Sequence, residues 1–385
     1  MKNRYADIKN KNQCLINEYR GSSDGTVNFY PNYIQLEHTN LCNARCIMCN
    51  HAYTSNRGAS SISKEIIRKI ENILPYCSVL MLNGDGEPFL TPDILDLLHL
   101  YIDYEIRIGT NTNLCVLTDE MIAELLPYFS FLNISCDGAY KSTFEMIRFG
   151  LNYEKFIENL EKINKFAPEV RKNMDVVLMR QNLEEAVALV QFASRYNFKE
   201  IRFHRMGINP CLGNEVDADS QFPLYASYWM EKAREAAAKS GINIKTPEWK
   251  EQYDASVFET EKRYVKGFSK SEMQKRIKAA GQFYKDSSLK NGYLSQNVEL
   301  DDFSSAAYLA GKSCRWALER CYIDLNGNVS PCCYNVMKKM GNLMEVNSFE
   351  ELWNGEMYRK FRICMNEGKL PKWCKTCQWI REGIF

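Results

Sequence analysis

From residue 33 to about 206 the chain repeats one pattern: a short apolar run, then a stretch with the 3.6-residue apolar period of an amphipathic helix. The runs are "YIQLEHT" (33–39), "SVLMLNG" (78–84), "EIRIGTN" (105–111), "FLNISCD" (131–137), "DVVLMRQ" (175–181) and "EIRFHRM" (200–206). Helical stretches such as "SKEIIRKIENIL", "TPDILDLLHLY" and "EEAVALVQFASRY" lie between them. Strands separated by helices cannot pair as hairpins, so they form a parallel sheet covered by helices. Six units that curl into an open barrel place ligands where the loops after the strands converge.

The remainder of the 385 residues divides in two. Residues 214–312 are charged and helical in pattern ("SYWMEKAREAAAKSG", "SEMQKRIKAAGQF") and read as a helical insertion, a lid or substrate element. Residues 313–385 read as a compact module. Within it "CYIDLNGNVSPCC" predicts a β-hairpin with a type I′ turn at Asn326-Gly327, which sets Leu325 against Asn328 and Cys321 against Cys332. "SFEELWNGEMYRKFRICMNEG" predicts a helix opened by a Ser348/Glu351 capping box. The expected domains are thus an N-terminal extension (1–32), a partial (β/α)6 barrel (33–213), the insertion (214–312) and the C-terminal hairpin-plus-helix module (313–385).

Forty-nine Lys and Arg against 48 Asp and Glu give no electrostatic reason for nucleic acid or an anionic membrane as partner. No export signal or run of about 18 apolar residues is present, so a cytoplasmic protein is expected. There thiols stay reduced, and fifteen cysteines point to metal or redox chemistry rather than to disulfides. Cys14, Cys77, Cys115, Cys136 and Cys211 are scattered, as small buried hydrophobes are.

Cys42, Cys46 and Cys49 follow the first strand with C-x3-C-x2-C spacing. Completed by His38 or His51 they would make a structural zinc site. With three thiolates on an iron–sulfur cluster, one iron would stay open for chemistry.

The set resembles the signature of the radical S-adenosylmethionine (SAM) enzymes, in which SAM chelates the fourth iron. "NGDGEPFL" resembles that family's Gly-Gly-Glu-Pro element, with Asp85 in place of the first Gly. "TNTN" (110–113) ends the third strand as in relatives, and "SCDGAYKSTFEMIR" resembles the Ser-x-Asp-Gly segment that ends the fourth. The resemblance implies SAM contacts from Gly84, Gly86, Glu87, Asn111, Ser135, Asp137, Arg148 and, on the fifth strand, Arg180. Met48 stands where many members carry an aromatic residue. The C-terminal module resembles the auxiliary-cluster extension called twitch, related to the longer SPASM domain. Cys314, twelve residues, Gly327-x4-Cys332 and Cys374-x2-Cys377 supply its four ligands, with Cys321 as a substitute for Cys314. No cysteine follows Cys377, so one auxiliary 4Fe-4S cluster is expected beside the SAM-binding one, the other reading being a zinc ribbon.

What the family implies is reductive cleavage of SAM to a 5′-deoxyadenosyl radical that takes hydrogen from a C–H bond. A small hydroxylated substrate, sugar-like or aminocyclitol-like, would then be dehydrogenated with the auxiliary cluster accepting an electron, as in the related aminocyclitol dehydrogenase. Redox-neutral epimerisation would instead need a thiol hydrogen donor, for which Cys136, Cys211 and Cys333 are candidates. His204 and Arg205 at the end of the sixth strand are candidates to handle a substrate proton or phosphate. Only 41 residues precede Cys42, which disfavours a leader-binding domain and a peptide substrate. A flavodoxin or ferredoxin would supply the electron. A zinc-stabilised binding protein without radical chemistry is the remaining class.

Overall fold

The computed structural model describes residues 4–49, 51, 60–206, 222–248, 254–265, 271, 275, 296–297, 307–308, 314, 316–333, 338–371 and 374. In chain order the strands are β1 (Tyr33–Leu36), β2 (Val79–Leu82), β3 (Arg107–Thr112), β4 (Phe129–Ser135), β5 (Arg171–Val177), β6 (Glu200–His204), β7 (Asn243–Lys245), β8 (Gln296–Asn297), β9 (Ala307–Tyr308), β10 (Arg320–Ile323), β11 (Asn328–Ser330), β12 (Lys338–Lys339), β13 (Gly341–Asn342) and β14 (Lys369–Leu370). The chain forms two compact units, one of residues 1–41, 59–109 and 288–385, the other of 42–58 and 110–287. Among the described residues no helix is long and apolar enough to cross a membrane.

In the first unit the strands run β13-β11-β10-β1-β2. β1 pairs in parallel with β2 on one side and with β10 on the other, Tyr33 opposite Val79 and Arg320. The C-terminal module therefore extends the sheet of the first βα unit, joined to it by strand pairing. The N-terminal segment is tied to the same module. The indole N–H of Trp353 donates to the Phe29 carbonyl (3.0 Å), and the buried Arg362 guanidinium to that of Gly25 (3.2 Å).

The β10–β11 turn corrects the expected one. Of its residues only Gly327 takes a positive φ (79°), and Tyr322 pairs with Ser330 and Ile323 with Val329. The Asp324 carboxylate accepts the N–H groups of Asn326 and Asn328 (2.8 and 2.9 Å), which holds one residue more in the loop than a two-residue turn has. A one-residue slip sends each side chain to the opposite face. Cys321 is accordingly buried in β10 opposite Ile34, not set against Cys332. Its thiol is pushed well up by burial and by neighbouring Cys77. Farther on, Ser348 caps its helix as expected (3.2 Å to the Glu351 N–H), but Glu351 reaches back to the Asn347 N–H, and Gly355 divides the helix into Phe349–Trp353 and Glu356–Asn366.

In the second unit β4, β5, β6 and β7 are successive parallel neighbours. β7 lies inside the expected helical insertion. At three residues it is too short to show alternation, and it follows the helix Pro223–Ser240, closed by left-handed Gly241. That helix packs on Ala186–Arg195. β5 begins at Arg171, four residues before the expected start, because Arg171 and Lys172 pair with Phe131 and Leu132. Arg180 is thus in the turn after β5 rather than on it. The turn is closed by buried Asn182, whose side chain accepts the Met179 N–H (2.9 Å) and donates to the Val177 carbonyl (2.8 Å).

Alternation gives this sheet two unlike faces. Leu132, Ile134, Met174, Val176, Ile201 and Phe203 are buried on one. The other carries Asn133, Asn173 and Glu200 in one row across the strands and Ser135, Asp175 and Arg202 in the next, with His204 beyond.

Candidate functional site

The three-cysteine loop belongs to the second unit, held by backbone hydrogen bonds from Arg45 to Phe149 (2.7 Å) and from Ile47 to Ile147 (2.9 Å). The Asn113 amide donates to the Asn43 side-chain oxygen (2.8 Å). These bonds fix the loop against the C-terminal end of the helix Lys141–Ile147, whose next residue is Arg148. Arg148 bridges the loop and β4: its guanidinium pairs with the Asp137 carboxylate at 2.7 Å and reaches the Cys46 sulfur at 3.8 Å. Burial works against the Arg148 charge, but Asp137 and the sulfurs of Cys46, Cys136 and Cys49 outweigh it and keep the guanidinium protonated. Asp137 is fully buried and accepts the Val177 N–H (2.7 Å).

Cys46 is buried and its thiol is pushed up to about 12 by desolvation, with Cys49 and Cys42 adding to the effect and Arg148 opposing it. Three soft donors close enough to feel one another's charge, beside one buried cation, suit an anionic thiolate-bound group. Among the described residues no three Cys, His, Asp or Glu side chains converge as a single ion would need. A cluster does not require that, because each thiolate takes its own iron. His38 is not a zinc ligand in waiting: its ring nitrogens meet the Leu36 carbonyl (3.0 Å) and the Tyr101 hydroxyl (2.8 Å), and burial lowers it to about 4.

In the first unit the loop 83–88 is pressed against the end of β1. A Cβ on Gly86 would stand 2.3 Å from the Thr39 carbonyl oxygen, and one on Gly84 would stand 2.4 Å from Glu37 Cγ, so both positions require glycine. The Glu87 N–H donates to the Leu41 carbonyl (2.7 Å), one residue before Cys42. Glu37, which the sequence reading passed over, accepts the Asp85 N–H (2.8 Å) through one carboxylate oxygen and the Leu325 N–H (3.2 Å) through the other. Burial, and next the Asp85 charge, push it up to about 7. A lone acidic residue ahead of a cysteine motif was the only signal.

The polar face of β4–β6 is joined by hydrogen bonds. The Asn133 amide donates to Asn111 (2.9 Å) and that of Asn173 to Asn133 (3.0 Å). Arg202 grips Asp175 with two nitrogens (2.7 and 2.8 Å), and His204 Nε2 meets the same carboxylate at 2.8 Å. Burial would raise Asp175, but the His204 and Arg202 bonds and charges hold it below the usual carboxylate range. Arg180 lies over the Phe222 ring (5.1 Å), and Arg205 donates to the Glu248 carbonyl.

Of the thiols considered as hydrogen donors, Cys136 is fully buried with its S–H directed at the Gly138 carbonyl (3.4 Å), Cys333 is exposed, and Cys211 lies outside the described residues. In the C-terminal module Cys314 and Cys332 are half-buried and Cys374 buried, while Cys377 lies outside the described residues.

Comparison with known proteins finds two domains in the chain. Residues 36–193 match the radical SAM superfamily and residues 314–378 match an iron–sulfur cluster-binding domain, SPASM. The chain is similar to an AdoMet-dependent heme synthase from Methanosarcina barkeri, 22% identical over 91% of this chain and 89% of that protein. It is also similar to the mycofactocin maturase MftC of Mycobacterium tuberculosis, 24% identical over 55% and 54%. Among solved structures, anSMEcpe with bound AdoMet superposes with a TM-score of 0.58 (16% identity, 91% of this chain, 84% of that one), and Streptococcus suis SuiB bound to its precursor peptide SuiA with 0.56 (15%, 86% and 67%). The mixed α/β fold with a parallel, unclosed sheet is the one these structures share. Residues 36–193 are thus a radical SAM domain, which binds SAM and a 4Fe-4S cluster, and residues 314–378 a SPASM domain, which binds auxiliary iron–sulfur.

Proposed function

We propose that the enzyme is an oxidoreductase that dehydrogenates a small, hydroxylated substrate. The observation that carries the substrate class is the polar face of β4–β6, where amides, Asp175, Arg202 and His204 form one hydrogen-bonding surface. The amide and guanidinium groups of such a surface have more donors and acceptors than they use on one another, and these suit hydroxyl and amino groups, whereas an apolar substrate would use none of them.

When bound, the cluster and SAM supply a 5′-deoxyadenosyl radical at the cost of one electron, for which a flavodoxin- or ferredoxin-like donor suffices. Cys42, Cys46 and Cys49 would hold the cluster, and Gly84, Gly86 and Glu87, with Asn111 and Ser135, would border SAM. Asp137 engages Arg148, which reaches Cys46, so we assign the pair to holding the cluster loop. Cys314, Cys332, Cys374 and Cys377 would hold a single auxiliary cluster. As the substrate carbon is oxidised, His204, steadied by Asp175, would take the hydroxyl proton, and the auxiliary cluster, held by the C-terminal cysteines, would supply the acceptor for the remaining electron. The domain limits 33–213, 214–312 and 313–385 serve this division of labour.

A peptide substrate is the second reading, favoured by the folds of SuiB with SuiA and of anSMEcpe with bound peptides. Anaerobic reconstitution should give a brown protein with about eight irons per chain. Reduced enzyme with SAM and deuterated polyols should place substrate deuterium in 5′-deoxyadenosine and yield a ketone. Solvent deuterium at one product carbon without net oxidation would replace dehydrogenation by epimerisation. Deuterium transfer only from peptides would establish the second reading.

A further inference from the structure

Glu37 stands at the end of β1 with 3% of its surface exposed, and its two carboxylate oxygens serve different parts of the chain. One takes the N–H of Asp85 in the loop 83–88; the other takes the N–H of Leu325 in the β10–β11 turn of the C-terminal domain. Gly84 closes over the Glu37 side chain with no room for a Cβ, so the carboxylate has little freedom to abandon either partner. Below it, β1 is sandwiched between β2, which leads into the loop, and β10, which leads into the turn.

We propose that Glu37 is a positioning residue that latches the SAM-bordering loop to the auxiliary-cluster domain, so that SAM affinity depends on the state of the C-terminal hairpin. The proposal rests on the assignment of residues 83–88 to SAM given above. Its physical basis is that a carboxylate accepts at both oxygens, whereas a neutral amide accepts at one and meets the second N–H with its own donor. A loop that has lost this acceptor leaves a half-buried N–H without a partner and relaxes from the bound shape.

The test is SAM binding to anaerobically reconstituted full-length protein, together with the change that SAM causes in the electron paramagnetic resonance signal of the reduced cluster. Glu37→Gln should weaken binding on the order of tenfold. Leu325→Pro removes the other donor at a turn position that tolerates proline, and should weaken binding similarly although residue 325 lies outside the SAM loop. The double variant should bind no worse than Glu37→Gln alone, since both changes break one link. Cys374→Ser provides the second measurement: it should lower SAM affinity in the wild-type background and have no further effect with Gln at position 37. Wild-type affinity in a Leu325→Pro protein of full iron content, or strictly additive losses, would overturn the latch. Failure of the wild-type protein to bind SAM would overturn the functional reading itself, and the latch with it.

Discussion

The side chains that decide this protein's chemistry are few and mostly buried. Arg148 and Asp137 form an ion pair with side chains 10% and 0% exposed. Removing one member of such a pair strands the other charge in the interior, at a cost of about 3–5 kcal/mol. Arg148→Met should therefore lower the unfolding free energy by that order and loosen the cysteine loop, while Arg148→Met with Asp137→Asn should recover part of the loss; equal losses in denaturant unfolding would show the pair to be irrelevant. Glu37 makes a pH prediction. Its carboxyl titrates at about 7 in the fold against 4.5 ordinarily, so its share of stability is fully present below about pH 4.5 and is lost as pH rises through about 7. Asp85, Asp324 and Tyr322 are the charged or titratable groups that act on it. Glu37→Gln escapes that loss, so its stability relative to wild type should climb by roughly 3 kcal/mol between about pH 4.5 and 8 and then level off. A difference independent of pH would refute the assignment.

Among elements, the β10–β11 hairpin shows how a turn sets what a strand presents. Asp324 and left-handed Gly327 fix a register that buries Cys321 in β10 and does not set it opposite Cys332. Gly327→Ala should cost about 1–2 kcal/mol, seen as a lower melting temperature, because a Cβ disfavours φ near 79°. The asparagine side chains of β3, β4 and β5 work in the same way across strands. Each is ordinary alone, and register turns them into a connected polar face. Asp175→Ala should cost about 2 kcal/mol by releasing Arg202 and His204 together, measurable as faster amide exchange along β5 and β6; unchanged exchange would remove Asp175 as their anchor.

For the whole chain, the cysteine sets differ in how far the surrounding backbone depends on metal. The loop at 42–49 rests on backbone hydrogen bonds to residues 147 and 149, whereas the C-terminal ligands we assign, Cys314, Cys332 and Cys374, lie far apart in the sequence and would be joined by the cluster. Metal binding that joins such segments is folding free energy. Anaerobic removal of iron should therefore speed amide exchange between residues 316 and 370 far more than in β4–β6, and equal exchange in the two regions would contradict the assigned ligands.

The sequence by itself determined the repeating βα pattern, the three-cysteine motif and the spacing of the C-terminal cysteines, because these depend on local periodicity and separation along one segment. It placed β5 four residues late, because an apolar run is a poor guide to where pairing begins when charged residues such as Arg171 and Lys172 can flank it. It could not foresee β7, too short to show a period. Nor could it foresee the pairing of β1 with β10, the reach of Arg148 to Cys46 and Asp137, or the two N–H groups gathered by Glu37. Those belong to the tertiary structure, since they join residues as much as 288 positions apart, whose meeting no local pattern records.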